Sequence, residues 1–305
     1  MSTEGGGKAI IAALVANLGI AVAKLVGFVI TGASSMLAES VHSLADTGNQ
    51  VLLLLGRRRS TREADDTRPF GYGRERFFSA FVVALVLFSL GALFAIYEGV
   101  HKIQHPESVE SVGVALGILA VALVLEGYSL RTAVVESNRY RGNRGWMEFI
   151  RRSKNPELPV LLLEDAGAMA GLIIAFVSVL LSWQVDPRFD GYGTLTIGLL
   201  LGVIASVLAV EMKSLLIGEA AEPEDLDAIE SAISSSEWVD RLIHMRTEHL
   251  GPEEILVACK VAFDPSLDVA GLSSAIDQVE AAIRAALSSS ALIYIEPDLD
   301  REVAR

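Results

Sequence analysis

The chain has 305 residues, 51% of them hydrophobic, and a mean hydropathy of +0.45. Its formal net charge of −13 at pH 7 is unsuited to binding a polyanion, so we expect no nucleic-acid partner. The lone Cys259 excludes an internal disulfide and is typical of a reducing compartment.

The apolar residues are gathered into six long blocks, each close to the length of about 20 residues that crosses a bilayer as a helix. The blocks cover residues 9–31, 35–56, 78–100, 112–134, 159–183 and 193–212. A soluble domain would not normally concentrate its apolar residues in this way. The sequence therefore predicts an α-helical membrane protein with six transmembrane helices in the lipid bilayer.

Lysine and arginine are unevenly shared among the loops between the blocks. Thirteen lie in the loops after the second and fourth blocks, whereas the loops on the other side hold only Lys102 and Arg188. Short cytoplasmic loops carry the excess of positive charge in membrane proteins. We therefore expect both termini on the cytoplasmic side.

Lys24 and Glu126 are charged residues inside apolar blocks, where a charge is costly unless it faces the interior of the helix bundle. Lys24, in the first block, is interpreted as a structural residue that pairs with an acid or a backbone carbonyl. Glu126, in the fourth block, has two interpretations. It is either a group that supports the site or handles protons, or a residue at the aqueous end of its helix.

The second block begins with the polar stretch LAESVHSLADTGNQ and ends in leucines. His42 and Asp46 are four positions apart, so a helix places them on one face, about one turn apart. A neutral imidazole and a carboxylate at this spacing can both bind one divalent cation such as zinc. Glu39, three residues before His42, is predicted to accept a hydrogen bond from it and to fix its orientation.

Glu164 and Asp165 interrupt the fifth block, which is otherwise apolar. Successive helical residues point about 100° apart, so we expect only one of the two to face a given site. We predict a metal site of His42, Asp46 and Asp165, completed by Glu164 or water, whose ligands also exchange protons. The alternative interpretation is that these residues serve packing and hydrogen bonding.

From about residue 217 the composition becomes that of a soluble protein, and the pattern predicts helix, strand, strand, helix, strand. Apolar residues recur at helical spacing in both helices and alternate in the second strand. These positions are Leu226, Ile229 and Ile233, then Ile255, Val257, Cys259, Val261 and Phe263, then Leu272, Ile276, Val279, Ile283 and Leu287. We predict a small cytoplasmic α+β domain, αββαβ, with two helices on one face of a sheet and a ferredoxin-like layout.

Two histidines of this domain lie five positions apart. On a continuous strand His244 and His249 would face opposite ways, which is unsuited to binding one ion. We interpret them as ordinary surface histidines, with a regulatory metal site as the alternative.

Three parts of the sequence resemble the cation diffusion facilitator family of divalent-metal/proton antiporters. They are NLGIAVAKLVGFVITGASSMLAESVHSLADTGNQ, FGYGRERFFSAFVVALVLFSLGALFAIYEGVHKI and the αββαβ tail, so the resemblance covers essentially the whole chain. It implies a homodimer of six-span protomers, with one transport site formed by spans two and five. By position, His42, Asp46 and Asp165 match the family's ligands. The Glu164-Asp165 pair resembles the branch that contains the mitochondrial zinc transporter of animals.

The sequence departs from the family pattern at two places. Zinc-transporting relatives usually have a histidine four residues before the fifth-span aspartate, and here that residue is Leu161. Exclusive zinc selectivity is therefore in doubt, because oxygen-rich sites favour manganese or iron(II) more than zinc sites do. In a loop that often reads His-Pro-Phe-Gly-His-Gly in the family, Arg68 and Tyr72 replace the histidines, so we expect no accessory metal site there.

The residues and the resemblance together predict a transporter, not an enzyme: a proton-coupled antiporter that exports Zn²⁺ or a related divalent cation from the cytoplasm. Residues 1–215 would form the transport domain and residues 216–305 a cytoplasmic dimerisation or regulatory domain. The ion, Zn²⁺ or else Mn²⁺, Fe²⁺, Co²⁺ or Cd²⁺, is a transported substrate, and no cofactor is expected. We expect a multi-pass protein of a bacterial cell membrane.

Alternatives from the same and from other classes are kept open. One is a member of the same family that prefers Mn²⁺ or Fe²⁺. Another is a membrane metal sensor that works through the acidic tail. A third is an intramembrane metalloenzyme, against which the sequence has no His-Glu-x-x-His motif and no set of residues suited to nucleophilic catalysis.

Overall fold

The computed structural model describes residues 18–299 of the chain. In chain order the elements are α1 (Leu18–Thr31), α2 (Ser34–Ser60), α3 (Glu75–Gln104, with a π-helical segment at Val83–Phe88), α4 (Val112–Arg141), α5 (Trp146–Arg152), α6 (Glu157–Gln184), α7 (Arg188–Ile217), α8 (Pro223–Ser234), β1 (Val239–Gly251), β2 (Glu254–Phe263), α9 (Val269–Ala286) and β3 (Ser290–Asp298).

The chain divides into two compact units. The first consists of the residues up to Arg58 together with Phe78–Lys213, and it contains most of the apolar helices. The second consists of Arg59–Phe77 together with the residues from Ser214 onward. The loop that connects α2 to α3 thus belongs to the same unit as the C-terminal sheet.

Among the described residues, four helices are long and apolar enough to cross a membrane: α3, α4, α6 and α7. The described part of α1 is apolar but shorter, and residues 9–17 of the predicted first span lie outside the described residues. α2 has the length of a span, but its first half is too polar to qualify by composition. The prediction of six transmembrane helices is therefore not confirmed, and the structure supports four.

The polar half of α2 is turned into the first unit. Its buried polar residues are Ser34, Ser35, Glu39, Ser40, His42, Ser43, Asp46, Thr47 and Asn49. The leucines at its other end, such as Leu55, are partly or fully exposed. Polar side chains at membrane depth are tolerated where they face a bundle interior. Burial therefore explains how α2 keeps its polar sequence among apolar helices.

The second unit contains a three-stranded sheet in the order β1-β2-β3. β1 and β2 pair antiparallel through a short turn, whereas β2 and β3 pair parallel. Because parallel neighbours need a crossover connection, α9 lies between them in the chain. With α8 before β1, the predicted αββαβ order is confirmed.

One hydrophobic core lies between this sheet and both of its helices. Its residues include Ile229 and Ile233 of α8, Ile255, Val257, Cys259, Val261 and Phe263 of β2, and Ala275, Val279 and Ile283 of α9. The β2 residues are alternate positions, so they share one face of the sheet. Both helices therefore cover that face, as their apolar spacing predicted.

The two histidines of β1 differ in their surroundings. His244 is exposed, whereas His249 is only 3% exposed. The prediction that both are surface histidines is wrong for His249. It lies near the end of β1, where its backbone N–H donates to the carbonyl of Glu219 at 2.9 Å, so this end of the strand is covered by the chain that follows α7.

The α2–α3 loop approaches the β1–β2 turn closely at one glycine. A Cβ atom on Gly73 would lie 2.6 Å from the carbonyl oxygen of Leu250 and 3.0 Å from the Cα of Gly251. Both obstacles are backbone atoms, which cannot move aside as a flexible side chain would. A side chain at position 73 would therefore separate the loop from the turn. The neighbouring Arg74 forms an ion pair with Glu248 of β1.

The residues that replace the family's loop histidines take part in a hydrogen-bonded turn. The hydroxyl of Tyr72 donates to Asp65 at 2.6 Å, and the guanidinium of Arg68 lies 4.7 Å from the centre of the Tyr72 ring. Arg68 also pairs with Glu75 at 2.8 Å. Hydrogen bonds from the Thr67 hydroxyl, from Tyr72 and from the Arg68 backbone hold the pKa of Asp65 below its usual range.

Candidate functional site

The predicted pair on α2 is buried and its members are adjacent. Nδ1 of His42 lies 3.5 Å from Oδ1 of Asp46, without the geometry of a hydrogen bond. The two residues are 2% and 7% exposed. The spacing of four therefore places them together on the inner face of α2, as predicted.

Glu164 and Asp165 lie on α6, and both are buried. Both line the same small pocket as Asp46. The expectation that only one of the two would face the site is wrong. A carboxylate has a flexible stem, so two successive residues can direct their oxygens into one space although their Cα–Cβ bonds diverge.

The pocket lies among α1, α2, α4 and α6 and is lined almost wholly by polar side chains. Its lining residues are Ile20, Ser43, Asp46, Gln50, Glu126, Ser129, Glu164 and Asp165. The space within it is about 10 Å³, which is close to the room that one water molecule needs. A single ion without its hydration shell is of comparable size.

Two carboxylate oxygens at this pocket lack a hydrogen bond in the described structure. They are Oδ1 of Asp46 and Oε2 of Glu164, and both are buried. Asp165 differs, because its Oδ2 accepts a hydrogen bond of 2.9 Å from the hydroxyl of Ser129 on α4. Buried carboxylate oxygens without a donor are costly, and a bound cation or proton would satisfy them.

The four predicted ligands are not assembled as a metal-binding group. Across residues 18–299, no three His, Cys, Asp or Glu side chains are arranged to hold a metal ion. The structure brings Asp46, Glu164 and Asp165 to one pocket, while His42 contacts Asp46 and is not among the lining residues. Binding of an ion by all four would need side-chain movements, and the ligand set stays a prediction.

A buried ion pair adjoins the pocket residues. Nζ of Lys24 donates to Oε2 of Glu39 at 3.1 Å and to the hydroxyl of Ser43 at 2.7 Å. Lys24 and Glu39 are both fully buried. The prediction that Lys24 pairs with an acid is confirmed. Glu39 was predicted to accept a hydrogen bond from His42. Its carboxylate instead accepts a hydrogen bond from Lys24, because the ammonium group on α1 reaches it across the α1–α2 contact.

The start of α2 is fixed by a residue that the sequence did not point to. Asp190, at the start of α7, accepts hydrogen bonds from the backbone N–H groups of Ser34 and Ser35 at 2.7 and 3.2 Å, and from the Ser35 hydroxyl at 2.5 Å. The first N–H groups of a helix have no partner within it, so a carboxylate there serves as a cap. Asp190 thereby helps to set the position of α2, on which His42 and Asp46 lie.

The sequence did not point to four of the pocket residues, Ile20, Ser43, Gln50 and Ser129, and it left the role of Glu126 open. Ser129 and Gln50 carry no charge, so hydropathy gave no reason to select them. Glu126 did give a signal, because an acid inside an apolar block is costly, but its direction could not be read from one helix alone. The structure places Glu126 at the pocket.

Two family models match the chain. One, described as the cation efflux transmembrane domain, matches residues 10–217, and the other, described as the cytoplasmic domain of cation efflux proteins, matches residues 221–298. The predicted resemblance is thus confirmed along almost the whole chain.

Named relatives agree with these models. The chain is 32% identical over 267 residues to the mitochondrial proton-coupled zinc antiporter SLC30A9 of Xenopus laevis, which is 87% of this chain and 48% of that protein. It is 30% identical over 237 residues to metal tolerance protein C4 of Arabidopsis thaliana, or 77% of this chain and 52% of that protein. It is 27% identical over 260 residues to the cation-efflux pump FieF of Serratia proteamaculans, or 85% of this chain and 82% of that protein.

The chain spans about half the length of the first two of these relatives. The expected bacterial cell membrane is not supported, since the first relative is named as mitochondrial. The first relative is named as an antiporter and the third as an efflux pump, neither as an enzyme, which confirms that prediction at the level of the family. The chain belongs to the cation efflux family of integral membrane transporters, the cation diffusion facilitators that its motifs resemble.

Proposed function

We propose that the protein is a proton-coupled divalent-cation antiporter that exports Zn²⁺ or a related ion from the cytoplasm. The observation that carries this proposal is the buried pocket at which Asp46, Glu164 and Asp165 meet, with carboxylate oxygens that have no hydrogen-bond donor. The similarity to a protein named as a proton-coupled zinc antiporter supports the same reaction.

The chemistry of the pocket is suited to exchange of a cation for protons. A metal ion binds only deprotonated carboxylates and a neutral imidazole, so metal and protons compete for the same groups. In the proposed cycle, Asp46, Asp165 and Glu164 bind the ion together with His42 when the pocket faces the cytoplasm. After the helices rock to open the pocket to the other side, protons displace the ion from the same oxygens.

The proposal also concerns which divalent cation the pocket prefers. Leu161, in the place of an imidazole that zinc-transporting relatives usually have, packs in an apolar cluster with Ala133, Phe149 and Leu162. No nitrogen ligand comes from that position. The pocket is therefore rich in oxygen, which favours Mn²⁺ or Fe²⁺ relative to an imidazole-rich site, and a Mn²⁺- or Fe²⁺-preferring transporter is the second candidate.

We also propose that two parts of the chain have different functions. Residues 1–215 would carry transport, and residues 216–305 would form a cytoplasmic domain through which two copies associate as a homodimer. The match of residues 221–298 to a cytoplasmic-domain model named for dimerisation supports this assignment. The positive charge of the loops after α2 and α4 supports cytoplasmic termini.

Ion flux into proteoliposomes with an imposed pH gradient tests the proposal. Purified full-length protein would be assayed with Zn²⁺, Mn²⁺, Fe²⁺, Co²⁺ and Cd²⁺, with intraliposomal pH recorded at the same time. We expect flux of at least one ion, coupled to proton movement in the opposite direction. We expect Asp46→Asn to lower that flux by about 10-fold or more, because the change removes a charged ligand.

Asp66→Asn is the matched control, since it makes the same chemical change at an exposed position of the α2–α3 loop. Loss of flux in Asp46→Asn but not in Asp66→Asn supports the assignment of the site. Equal flux in all three proteins would remove Asp46 from it. Absence of flux for every ion with the wild-type protein would overturn the antiporter proposal itself.

A further inference from the structure

The side of the pocket formed by α4 is not part of the ligand set predicted from spans two and five. α4 packs along α6 at this level, where a Cβ on Gly127 would lie 3.2 Å from the terminal methyl of Met169. Two residues further along α4, the hydroxyl of Ser129 donates to Asp165 at 2.9 Å. The fourth span is therefore in direct contact with a predicted ion ligand.

Glu126 lies on the same face of α4 as Ser129, three residues earlier, and it lines the pocket. Its neighbours Val124, Leu125 and Tyr128 are exposed apolar residues. Glu126 differs from them, because it is half-buried and lines the pocket. This stretch of α4 therefore contributes one acid to the pocket among apolar neighbours.

Among the described residues, Lys24 is the charge of opposite sign that acts on Glu126. Neither a hydrogen bond nor an ion pair of its carboxylate is found within residues 18–299, and no Lys or Arg lines the pocket. The nearby ammonium of Lys24 is bonded to Glu39 and Ser43. The buried oxygens of Asp46 and Glu164 at the same pocket also lack donors, so the pocket gathers four acids, and a bound cation would offset their charge.

We propose that Glu126 is an additional ligand of the transported ion, supplied by the fourth span, and that it favours hard, oxygen-preferring cations such as Mn²⁺ over softer ones such as Cd²⁺. This inference rests on the proposed function, because it assigns a residue to the ion pocket of that transporter. An extra carboxylate oxygen makes the ligand set harder, and hard ligands favour Mn²⁺ relative to ions that bind imidazole or thiolate well.

The test combines equilibrium binding with flux. Binding of Mn²⁺, Zn²⁺ and Cd²⁺ to the purified full-length protein in detergent would be measured by titration calorimetry, and flux of the same ions in proteoliposomes. We expect Glu126→Gln to weaken Mn²⁺ binding by about 10-fold or more, with a smaller loss for Cd²⁺. Glu136→Gln is the matched control, because Glu136 lies on the same helix and is not among the pocket residues.

The outcomes separate this inference from the proposed function. Wild-type transport with an unchanged ion ranking in Glu126→Gln overturns the inference and leaves the antiporter standing. An equal loss for all three ions overturns the selectivity role. Absence of wild-type flux overturns the antiporter, while the binding titrations still decide whether Glu126 contacts the ion.

A second variant covers the possibility that Glu126→Gln does not fold. Glu126→Asp keeps the charge but withdraws the carboxylate by one methylene, so a ligand role predicts weaker Mn²⁺ binding and a lower ratio of Mn²⁺ to Cd²⁺ affinity. Wild-type affinities in Glu126→Asp would overturn the proposal.

Discussion

The two units of this molecule have different kinds of interior. In the C-terminal unit, the core between the sheet and its helices is built from side chains such as Ile229, Ile255 and Val279, which need no partners beyond close packing. In the first unit, the inner face of α2 is lined with histidine, acids, serines and asparagine. An apolar core is tolerant of the position of each neighbour, whereas a polar one requires a specific partner for each group. The comparison predicts that single substitutions act through packing in one unit and through charge in the other.

The largest effect that would test this contrast is expected from Lys24→Met. The change keeps the volume of the side chain but leaves the Glu39 carboxylate buried without its cation, and the other Glu39 oxygen, Oε1, already lacks a partner. Breaking a buried ion pair by removing one member typically costs about 3–5 kcal/mol of unfolding free energy. We expect a corresponding loss of thermal stability, measured on the purified protein in detergent.

Two further variants make that measurement specific. Lys213→Met makes the same change at an exposed position of α7, and we expect it to leave the stability unchanged. Lys24→Met combined with Glu39→Gln removes both charges, so part of the lost stability should return. Equal stability of Lys24→Met and Lys213→Met would contradict the view that the first unit depends on balanced buried charge.

A smaller effect is expected from Gly171→Ala, which tests the same ion pair from α6. A Cβ at this position would overlap Oε1 of Glu39, so the carboxylate, whose other oxygen accepts from Lys24, would have to shift. Overpacking of this kind costs about 1–3 kcal/mol of unfolding free energy. The control is Gly117→Ala, since a Cβ there meets nothing within 4 Å, and it removes one helical glycine in the same way. If the two alanine variants are equally stable, Gly171 does not leave room for Glu39.

The same difference explains which features of the structure could be predicted from the sequence. The alternation from Ile255 to Phe263 is a local pattern, and it correctly predicted which face of β2 is buried. The spacing of His42 and Asp46 is also local, and their adjacency followed from it. In both cases the geometry of a single element determines the answer.

Partners from other elements could not be predicted in this way. The pairing of Glu39 with Lys24 and the capping of α2 by Asp190 depend on how helices pack, which no periodicity within one helix encodes. For the same reason the direction of Glu126 stayed open until α4 was placed beside α6. Three of the predicted ligands, Asp46, Glu164 and Asp165, line one pocket, which α4 also lines, and the ligand set itself stays a prediction.

The smallest perturbation uses the thiol in the apolar core as a probe of the C-terminal unit. Cys259 is 4% exposed, and burial, together with the charge of Glu280, raises the pKa of its thiol to about 11. A raised pKa means that the folded protein holds the proton more tightly, so this group stabilises the fold below its ordinary pKa of 9.0 and loses that contribution as the pH rises towards 11.

Since only the thiolate reacts with iodoacetamide, the native protein should label very slowly at pH 8 and faster only above about pH 10. Because Cys259 is the sole cysteine of the chain, mass spectrometry of the intact protein measures the rate directly, with protein unfolded in denaturant as the reference. Labelling at pH 8 as fast as in the unfolded reference would mean that this core opens readily to solvent, and close packing would then not account for the C-terminal unit.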